Sequence, residues 1–201
     1  MPREASVQRG WIAPRLAAEF PELQLATLHA QCISVDSELG VSERLALLAS
    51  RFDGRQAIAL REAPIASAYR TFFRQIGIDP EQQRPPAEQA AVERLLSGGN
   101  PPQGRVADAL LLALLETSVP VYGFDAELVT EPLGIDLSPS GSLLLADSER
   151  PLWHLFAPAG SDFFAVPKSR QVLLAAVGAP GVPGLALDEA LWLAQSALSG
   201  S

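Results

Sequence analysis

The chain has 201 residues, 48% of them hydrophobic and 19% charged, which excludes a disordered polar chain and indicates a globular protein. Its formal net charge is −8, unevenly spread: residues 44–105 carry 9 basic and 6 acidic groups, whereas residues 106–201 carry 3 and 11. The basic field that free nucleic-acid binders spread over a whole domain is therefore excluded, and any contact with nucleic acid is expected to be local or assisted by a partner.

Three features of the sequence bear on where the protein resides. No signal peptide is expected, because no apolar stretch follows the basic residues of "MPREASVQRGWIAPRL". The longest apolar run begins at Val106, contains Asp108 and stops at Glu116, short of the ~20 residues that a membrane-spanning helix needs. Cys32 is the only cysteine, so an intrachain disulfide is excluded and a cytoplasmic location is expected. We interpret Cys32 as a small core residue, with a reactive thiol as the alternative.

The first part of the chain is predicted to form one strand followed by helices. Rough alternation over 23–35 predicts the strand, which leaves residues 1–20 as an N-terminal extension of a core at about 23–198. A helix is then predicted to begin at Ser42 as N-cap. The next, "APIASAYRTFFRQIG", ends at Gly77 and has one apolar face. That face consists of Ile65, Tyr69, Phe72, Phe73 and Ile76. Pro86 suits the first turn of a further helix, and "SGGNPPQG" indicates a loop.

A basic neighbourhood lies on and after the second of these helices. Arg70 and Arg74 are one helical turn apart, and Arg84 precedes the double proline that opens the next helix. Charges in this pattern commonly form a solvated helix face. The alternative is that the guanidinium groups bind a phosphate or a carboxylate, for which their forked geometry is suited.

The second half of the chain is predicted to consist of a helix, several short strands and a closing helix. The helix from Val106 leads to an aromatic and acidic turn at 120–125. Short apolar runs separated by Gly, Pro, Ser or Asp then predict antiparallel strands, and Asp188 is the predicted N-cap of the closing helix. The fold class is therefore predicted to be α+β, with antiparallel or mixed sheets flanked by helices in a single domain over 1–201.

Catalytic and metal-binding motifs are scarce in this sequence. His29, His154 and Cys32 are not at zinc-site spacing, so no metal and no other cofactor is predicted. His29 falls in the first strand pattern and is interpreted as a core or edge residue. No Gly-x-Ser-x-Gly elbow occurs.

Three segments, in order, carry a family resemblance. "VADALLLALLETSVPVYGFDAELV", "GSLLLADSERPLWHLF" and "SRQVLLAAV" resemble the second half of the B3/B4 editing domain in the β chain of bacterial phenylalanyl-tRNA synthetase. Upstream, "APIASAYRTFFRQIGIDPEQQRPPAEQAAVERLLSGGNPP" resembles free-standing relatives of that domain. The resemblance covers roughly residues 60–178. It implies a B3/B4-like fold with a pocket for the 3′ end of a misacylated tRNA.

The resemblance also implies which residues form the site. The family's histidine corresponds to Tyr122, its glutamate in the final strand corresponds to Ala175, and two acids, Asp108 and Asp125, are retained. The candidate catalytic residues are Tyr122, Asp125 and Asp108. The candidate substrate-binding residues are Arg70, Arg74, Arg84, Gly123 and Ala175.

The changes at the two family positions leave two hypotheses open. In the first, the chain hydrolyses misacylated tRNA or a related aminoacyl ester in trans, with altered specificity, because tyrosine is a much poorer proton acceptor than histidine near pH 7. In the second, it is a non-catalytic module that binds an RNA end, an amino-acid-like ligand or a protein partner. Asp108 and Asp125 also have a structural interpretation as helix caps, and Tyr122 as a core aromatic.

Overall fold

The computed structural model describes residues 6–32, 38–51, 59–97, 103–157 and 160–199. Within these ranges the predicted α+β class is confirmed, because two four-stranded sheets are combined with helices. The strands are β1 Gln8–Arg9, β2 Trp11–Ile12, β3 Gln24–Gln31, β4 Val121–Asp125, β5 Gly134–Leu137, β6 Leu143–Ala146, β7 Pro151–His154 and β8 Gln171–Gly178. The helices are α1 Pro14–Glu19, α2 Glu38–Arg51, α3 Pro64–Gln75, α4 Pro86–Ser97, α5 Arg105–Thr117 and α6 Gly184–Ser199, and residues 59–62 are also helical.

The two sheets have different strand directions. The first sheet has the order β1-β3-β8-β4, and all its pairs are antiparallel. The second sheet has the order β2-β5-β6-β7, with β2 parallel to β5 and the other pairs antiparallel. Because side chains alternate along a strand, β4 sends Gly123 and Tyr122 to opposite faces of the first sheet. A Cβ atom at Gly123 would lie 3.4 Å from the side chains of Val106 and Leu110, so α5 covers that face.

Residues 8–12 connect the two sheets. β1 belongs to the first sheet and β2 to the second, with Gly10 between them. A Cβ atom at Gly10 would lie 2.6 Å from both the carbonyl oxygen of Leu133 and the Leu25 side chain, so only glycine permits this close approach. Leu16 of α1 is also buried. The described part of the predicted N-terminal extension therefore packs into the core instead of preceding it.

Three local predictions are wrong. The helix predicted from Ser42 begins earlier, at Glu38, so Ser42 lies inside α2. Asp188 is not an N-cap, because α6 begins at Gly184 and Asp188 forms an ion pair with Arg9 at 2.9 Å. The segment predicted as a turn is strand β4 over residues 121–125, since these residues pair antiparallel with β8.

Other local signals are confirmed. α3 ends just before Gly77, whose φ of +81° is a left-handed conformation that favours glycine. Pro86 is the first residue of α4, and Tyr69, Phe72 and Phe73 are buried. Most of the predicted loop at 97–104 and the end of the predicted first strand lie outside the described residues. None of the helices in the described ranges is long and apolar enough to cross a membrane.

Gly134 on β5 lies directly against the indole ring of Trp11 on β2. A Cβ atom at Gly134 would lie 2.0 to 2.5 Å from three atoms of that ring, and the indole Nε1–H donates to the Pro132 carbonyl oxygen at 3.1 Å. Gly134→Ala is therefore expected to displace the ring and to lower the free energy of unfolding by about 1–3 kcal/mol. Urea unfolding followed by tryptophan fluorescence measures both effects.

Gly40, inside α2, provides the matched control for this substitution. A Cβ atom there would meet nothing within 4 Å, so Gly40→Ala is expected to leave stability unchanged or to raise it by about 0.4–1 kcal/mol. Equal stabilities of the two variants would contradict the contact between Gly134 and Trp11.

Asp147 organises the turn between β6 and β7. Its buried carboxylate accepts hydrogen bonds from the backbone N–H groups of Glu149, Thr130 and Arg150 at 2.8, 3.1 and 2.8 Å. Burial acts to raise the pKa of the Asp147 carboxyl, but these three donors and the Arg150 charge hold the pKa below its usual range. The charged form of Asp147 is therefore favoured by folding.

A group whose pKa falls on folding stabilises the protein above its unfolded-state pKa, and this contribution is lost as the pH falls through the folded value. Asp147→Asn is therefore expected to lower the free energy of unfolding by about 1–3 kcal/mol at neutral pH. The difference from wild type is expected to shrink below about pH 4, where the unfolded-state carboxyl becomes protonated. Urea unfolding across this pH range checks the prediction, and a difference that stays constant would contradict it.

Candidate functional site

Tyr122 and Ala175, which the resemblance aligns with the family's histidine and glutamate, are direct cross-strand neighbours. Tyr122 on β4 pairs with Ala175 on β8, which pairs in turn with Thr27 on β3. Directly opposed residues in antiparallel strands project from the same face, so these three side chains form one row. Gly123 projects from the other face, against α5. The structure thus brings together the two positions that the resemblance implies, and Gly123 lies outside the row.

Aromatic rings pack against Tyr122 on this face. The Tyr122 ring lies 4.8 Å from the Trp153 ring of β7 and 6.5 Å from the Phe164 ring, with which it is nearly parallel. Burial raises the pKa of the Tyr122 phenol well above its usual range. The Tyr122 hydroxyl has no hydrogen-bond partner among the described residues. Tyr122 is therefore a neutral, packed phenol near pH 7 and cannot accept a proton as a histidine does.

A second phenol, that of Tyr69 on α3, reaches the same interior. Its hydroxyl donates to the carbonyl oxygen of Val177 on β8 at 2.5 Å. Burial raises the pKa of the Tyr69 phenol, and the nearby Tyr122 phenol raises it further. The Tyr69 hydroxyl is therefore satisfied by the backbone, whereas no such bond is formed by the Tyr122 hydroxyl among the described residues.

Asp108 and Asp125 lie apart from this row. Asp125 is three residues along β4 from the tyrosine and projects from the opposite face. Its carboxylate accepts hydrogen bonds from the Ser169 hydroxyl at 2.6 Å and from the Glu127 backbone N–H at 3.0 Å. Asp108, buried in the first turn of α5, accepts the backbone N–H of Gln103 at 3.0 Å. Both carboxylates thus bind nearby backbone, but the predicted role as helix N-caps is wrong: the N-cap of α5 is Gly104, and Asp125 ends β4 and is followed by a turn.

The three candidate arginines differ in their surroundings. Arg70 is buried, with Nη1 2.7 Å from Oε2 of Glu88 and Nη2 against Glu81. Burial acts to lower the pKa of the Arg70 guanidinium, but the hydrogen bond to Glu81 and the charge of Glu88 outweigh it and raise the pKa. Arg74 and Arg84 are exposed, with no ion-pair partner among the described residues. Arg70 is therefore committed to an internal ion pair, whereas Arg74 and Arg84 are free to contact a phosphate.

A histidine–carboxylate pair lies on the same face of the first sheet as Tyr122. No local pattern in the sequence predicts this pair. Nε2 of His29 lies 2.6 Å from Oε1 of Glu131, and the two side chains are 31% and 26% exposed. His29 is two residues from Thr27 on β3, so it projects from the same face as the row. The partners are 102 positions apart, so no spacing in the sequence connects them. This face therefore carries an imidazole, though not at the family's position.

Two further searches, for a metal site in the described residues and for related protein families and curated proteins, gave no result. Within the described ranges, no group of three or more His, Cys, Asp or Glu side chains is arranged to hold a metal ion. No protein-family model matches the chain, and no curated protein matches it significantly. The resemblance to the B3/B4 editing domain therefore rests on the residues themselves.

Proposed function

We propose that the chain is a free-standing relative of the B3/B4 editing domain that binds an aminoacylated tRNA 3′ end, or a related aminoacyl ester, without hydrolysing it. The observation that carries this proposal is the cross-strand pair of Tyr122 and Ala175, the two positions of the family's histidine and glutamate. We expect the protein to act in the cytoplasm, where aminoacyl-tRNA is made.

The chemistry of the Tyr122 face favours binding over hydrolysis. Ester hydrolysis needs a group that accepts a proton from water and donors that stabilise the oxyanion. The raised pKa of Tyr122 keeps its phenol protonated, so it can donate a hydrogen bond to a ligand carbonyl but cannot act as a base. Ala175 contributes no charge, and the carboxylates of Asp108 and Asp125 are engaged with neighbouring groups.

The charge distribution suits a local contact with an RNA end. Arg74 lies in the last turn of α3, and Arg84 lies in the turn before α4. Both side chains are exposed. An arginine that contacts a phosphate releases counterions and thereby raises the affinity. This local contribution does not require a basic field over the rest of the surface. Two such contacts fit a short single-stranded end better than a duplex.

Hydrolysis in trans is the second candidate function, and the pair of His29 and Glu131 is the observation that favours it. A histidine held by a carboxylate is a common general acid–base pair in ester hydrolysis. His29 projects from the same face as Tyr122, two residues from the row. In this hypothesis it takes the role that the family gives to the position of Tyr122.

Binding and hydrolysis can be measured separately with three forms of tRNA. A 3′-aminoacylamide tRNA, which is not hydrolysed, and uncharged tRNA report binding, and the ester-linked form reports hydrolysis. We expect the amide form to bind more tightly than uncharged tRNA, and ester loss to match the spontaneous rate. Arg74→Gln with Arg84→Gln is expected to weaken binding and to reduce the slope of log K against log salt by about 0.7 per arginine, the value for a single strand. Arg170→Gln, an exposed arginine near β8, is the matched control.

Each outcome selects one hypothesis. Equal binding of charged and uncharged tRNA, or no binding at all, would overturn the proposal. Ester loss above the spontaneous rate that His29→Asn abolishes, and Tyr122→Phe leaves unchanged, would establish hydrolysis in its place.

A further inference from the structure

A cleft of about 860 Å³ opens between α1, the end of α3 and the connection from β5 to β6. Tyr122 and Ala175 do not line it, so it is separate from the candidate site above. Its volume lies in the range of pockets that enclose small ligands, which measure about 300–1,000 Å³. Its lining combines buried apolar side chains with unpaired charged ones.

Helix α1 presents two parallel stripes to this cleft. Leu16 of α1 and Phe20, which follows its last residue, are 1% and 8% exposed and form an apolar floor. Arg15 and Glu19, also one turn apart, are exposed and form a charged rim. Neither charged side chain has an ion-pair or hydrogen-bond partner among the described residues. The helix thus offers one cation and one anion beside a single apolar surface.

The facing wall extends the apolar floor. Phe156 and Leu143 are buried and line the cleft. Phe156 has a φ of +63°, an uncommon backbone conformation for a bulky residue. The Gln83 side-chain N–H donates to the Phe156 carbonyl oxygen at 2.7 Å and holds this conformation in place. Such strained residues persist only where the surrounding structure fixes them, and they cluster at active sites and ligand-binding sites.

We propose that this cleft binds a dipeptide with apolar side chains, its carboxylate on Arg15 and its ammonium group on Glu19. Arg15 and Glu19 lie one turn apart on the same side of α1, so a ligand with a carboxylate at one end and an ammonium group at the other can contact both charges at once. The apolar side chains would contact Phe20 and Phe156. A simple anion fits poorly, because Glu19 repels it.

The competing interaction between the two helix residues is weak. An exposed Arg–Glu pair at this spacing contributes only about 0.3–0.5 kcal/mol. A ligand that satisfies both charges and also covers the apolar floor therefore displaces it readily. This proposal does not depend on tRNA binding, because none of the tRNA-contacting candidates lines the cleft.

Isothermal titration of the full chain with phenylalanyl-leucine tests the proposal. The two termini are examined separately with N-acetyl-phenylalanyl-leucine and with phenylalanyl-leucine amide. We expect each blocked form, and each of the variants Arg15→Gln and Glu19→Gln, to weaken binding about two- to fivefold. The N-acetyl form should not be weakened further by Glu19→Gln, and the amide should not be weakened further by Arg15→Gln. Arg170→Gln, exposed before β8 and outside the cleft, should bind as wild type.

This pattern of paired losses distinguishes a recognised zwitterion from nonspecific adsorption to the apolar floor. Equal binding of the free and blocked peptides, or no binding of phenylalanyl-leucine to the wild-type chain, would overturn the proposal. Losses in Arg15→Gln that are the same for the free peptide and its amide would overturn the assignment of the carboxylate.

Discussion

Replacing Arg70 with methionine is expected to lower the free energy of unfolding by about 3–5 kcal/mol, as is typical when one partner of a buried ion pair is removed. The Glu88 side chain is only 4% exposed, so its carboxylate would stay in the interior without its guanidinium partner. Its Oε1 already lacks a hydrogen-bond partner among the described residues. Arg61 is a poor substitute, because it is 3.7 Å away and half exposed. Urea unfolding at neutral pH measures the loss.

Arg74 lies one turn further along α3 and provides the matched control. Its side chain is exposed, so Arg74→Met is expected to change stability by less than about 0.5 kcal/mol. The double variant Arg70→Met/Glu88→Leu is expected to recover most of the loss, because replacing a buried ion pair with apolar groups is often neutral. If Arg70→Met and Arg74→Met changed the free energy of unfolding to a similar extent, the structural role of Arg70 would be contradicted. Arg70 would then again be a candidate phosphate contact.

Placing the family's glutamate at position 175 is expected to destabilise the protein instead of creating an editing site. Ala175 is 0% exposed and lies between Thr27 and Tyr122 in the row, with no cation opposite it. A carboxylate there would be a buried, unpaired charge, so Ala175→Glu should lower the free energy of unfolding by about 3–5 kcal/mol. Tyr122→His in the same chain places an imidazole directly opposite and is expected to recover about 1–2 kcal/mol.

Ala176 supplies the control for this double-variant test. It is equally buried but faces the opposite side of the sheet. Tyr122→His should therefore not recover Ala176→Glu. Comparing the urea midpoints of the two double variants remains informative even if both single glutamate variants fail to fold. Equal midpoints would contradict the direct pairing of positions 122 and 175.

The fold could be predicted from the sequence where local chemistry decides the structure. Gly77 ends α3 because a left-handed residue is needed there, and Pro86 opens α4 because its missing N–H costs nothing in a first turn. β4 was missed because only pairing with β8 makes residues 121–125 a strand. The short β1 and β2 were missed because two-residue strands have no periodicity to detect.

The candidate site could be predicted only in part, for a related reason. The resemblance supplied positions 122 and 175, and the register of β4 and β8 puts them opposite each other. The partner of Arg70 is Glu88, 18 residues away on another helix, so spacing alone could not separate an internal ion pair from a phosphate contact. The pair of His29 and Glu131 is equally hidden, since it forms only where the segment before β5 comes close to β3.

The pairing of β3 with β8 also sets the order in which a growing chain can fold. Roughly 140 residues separate the end of β3 from the start of β8, which at about 5–20 residues per second is roughly 7–28 s of synthesis. During that interval β3 has no long strand beside it, only the two residues of β1. The nascent protein therefore exposes an apolar strand edge on the ribosome for many seconds, where it can pair with other chains unless a chaperone shields it.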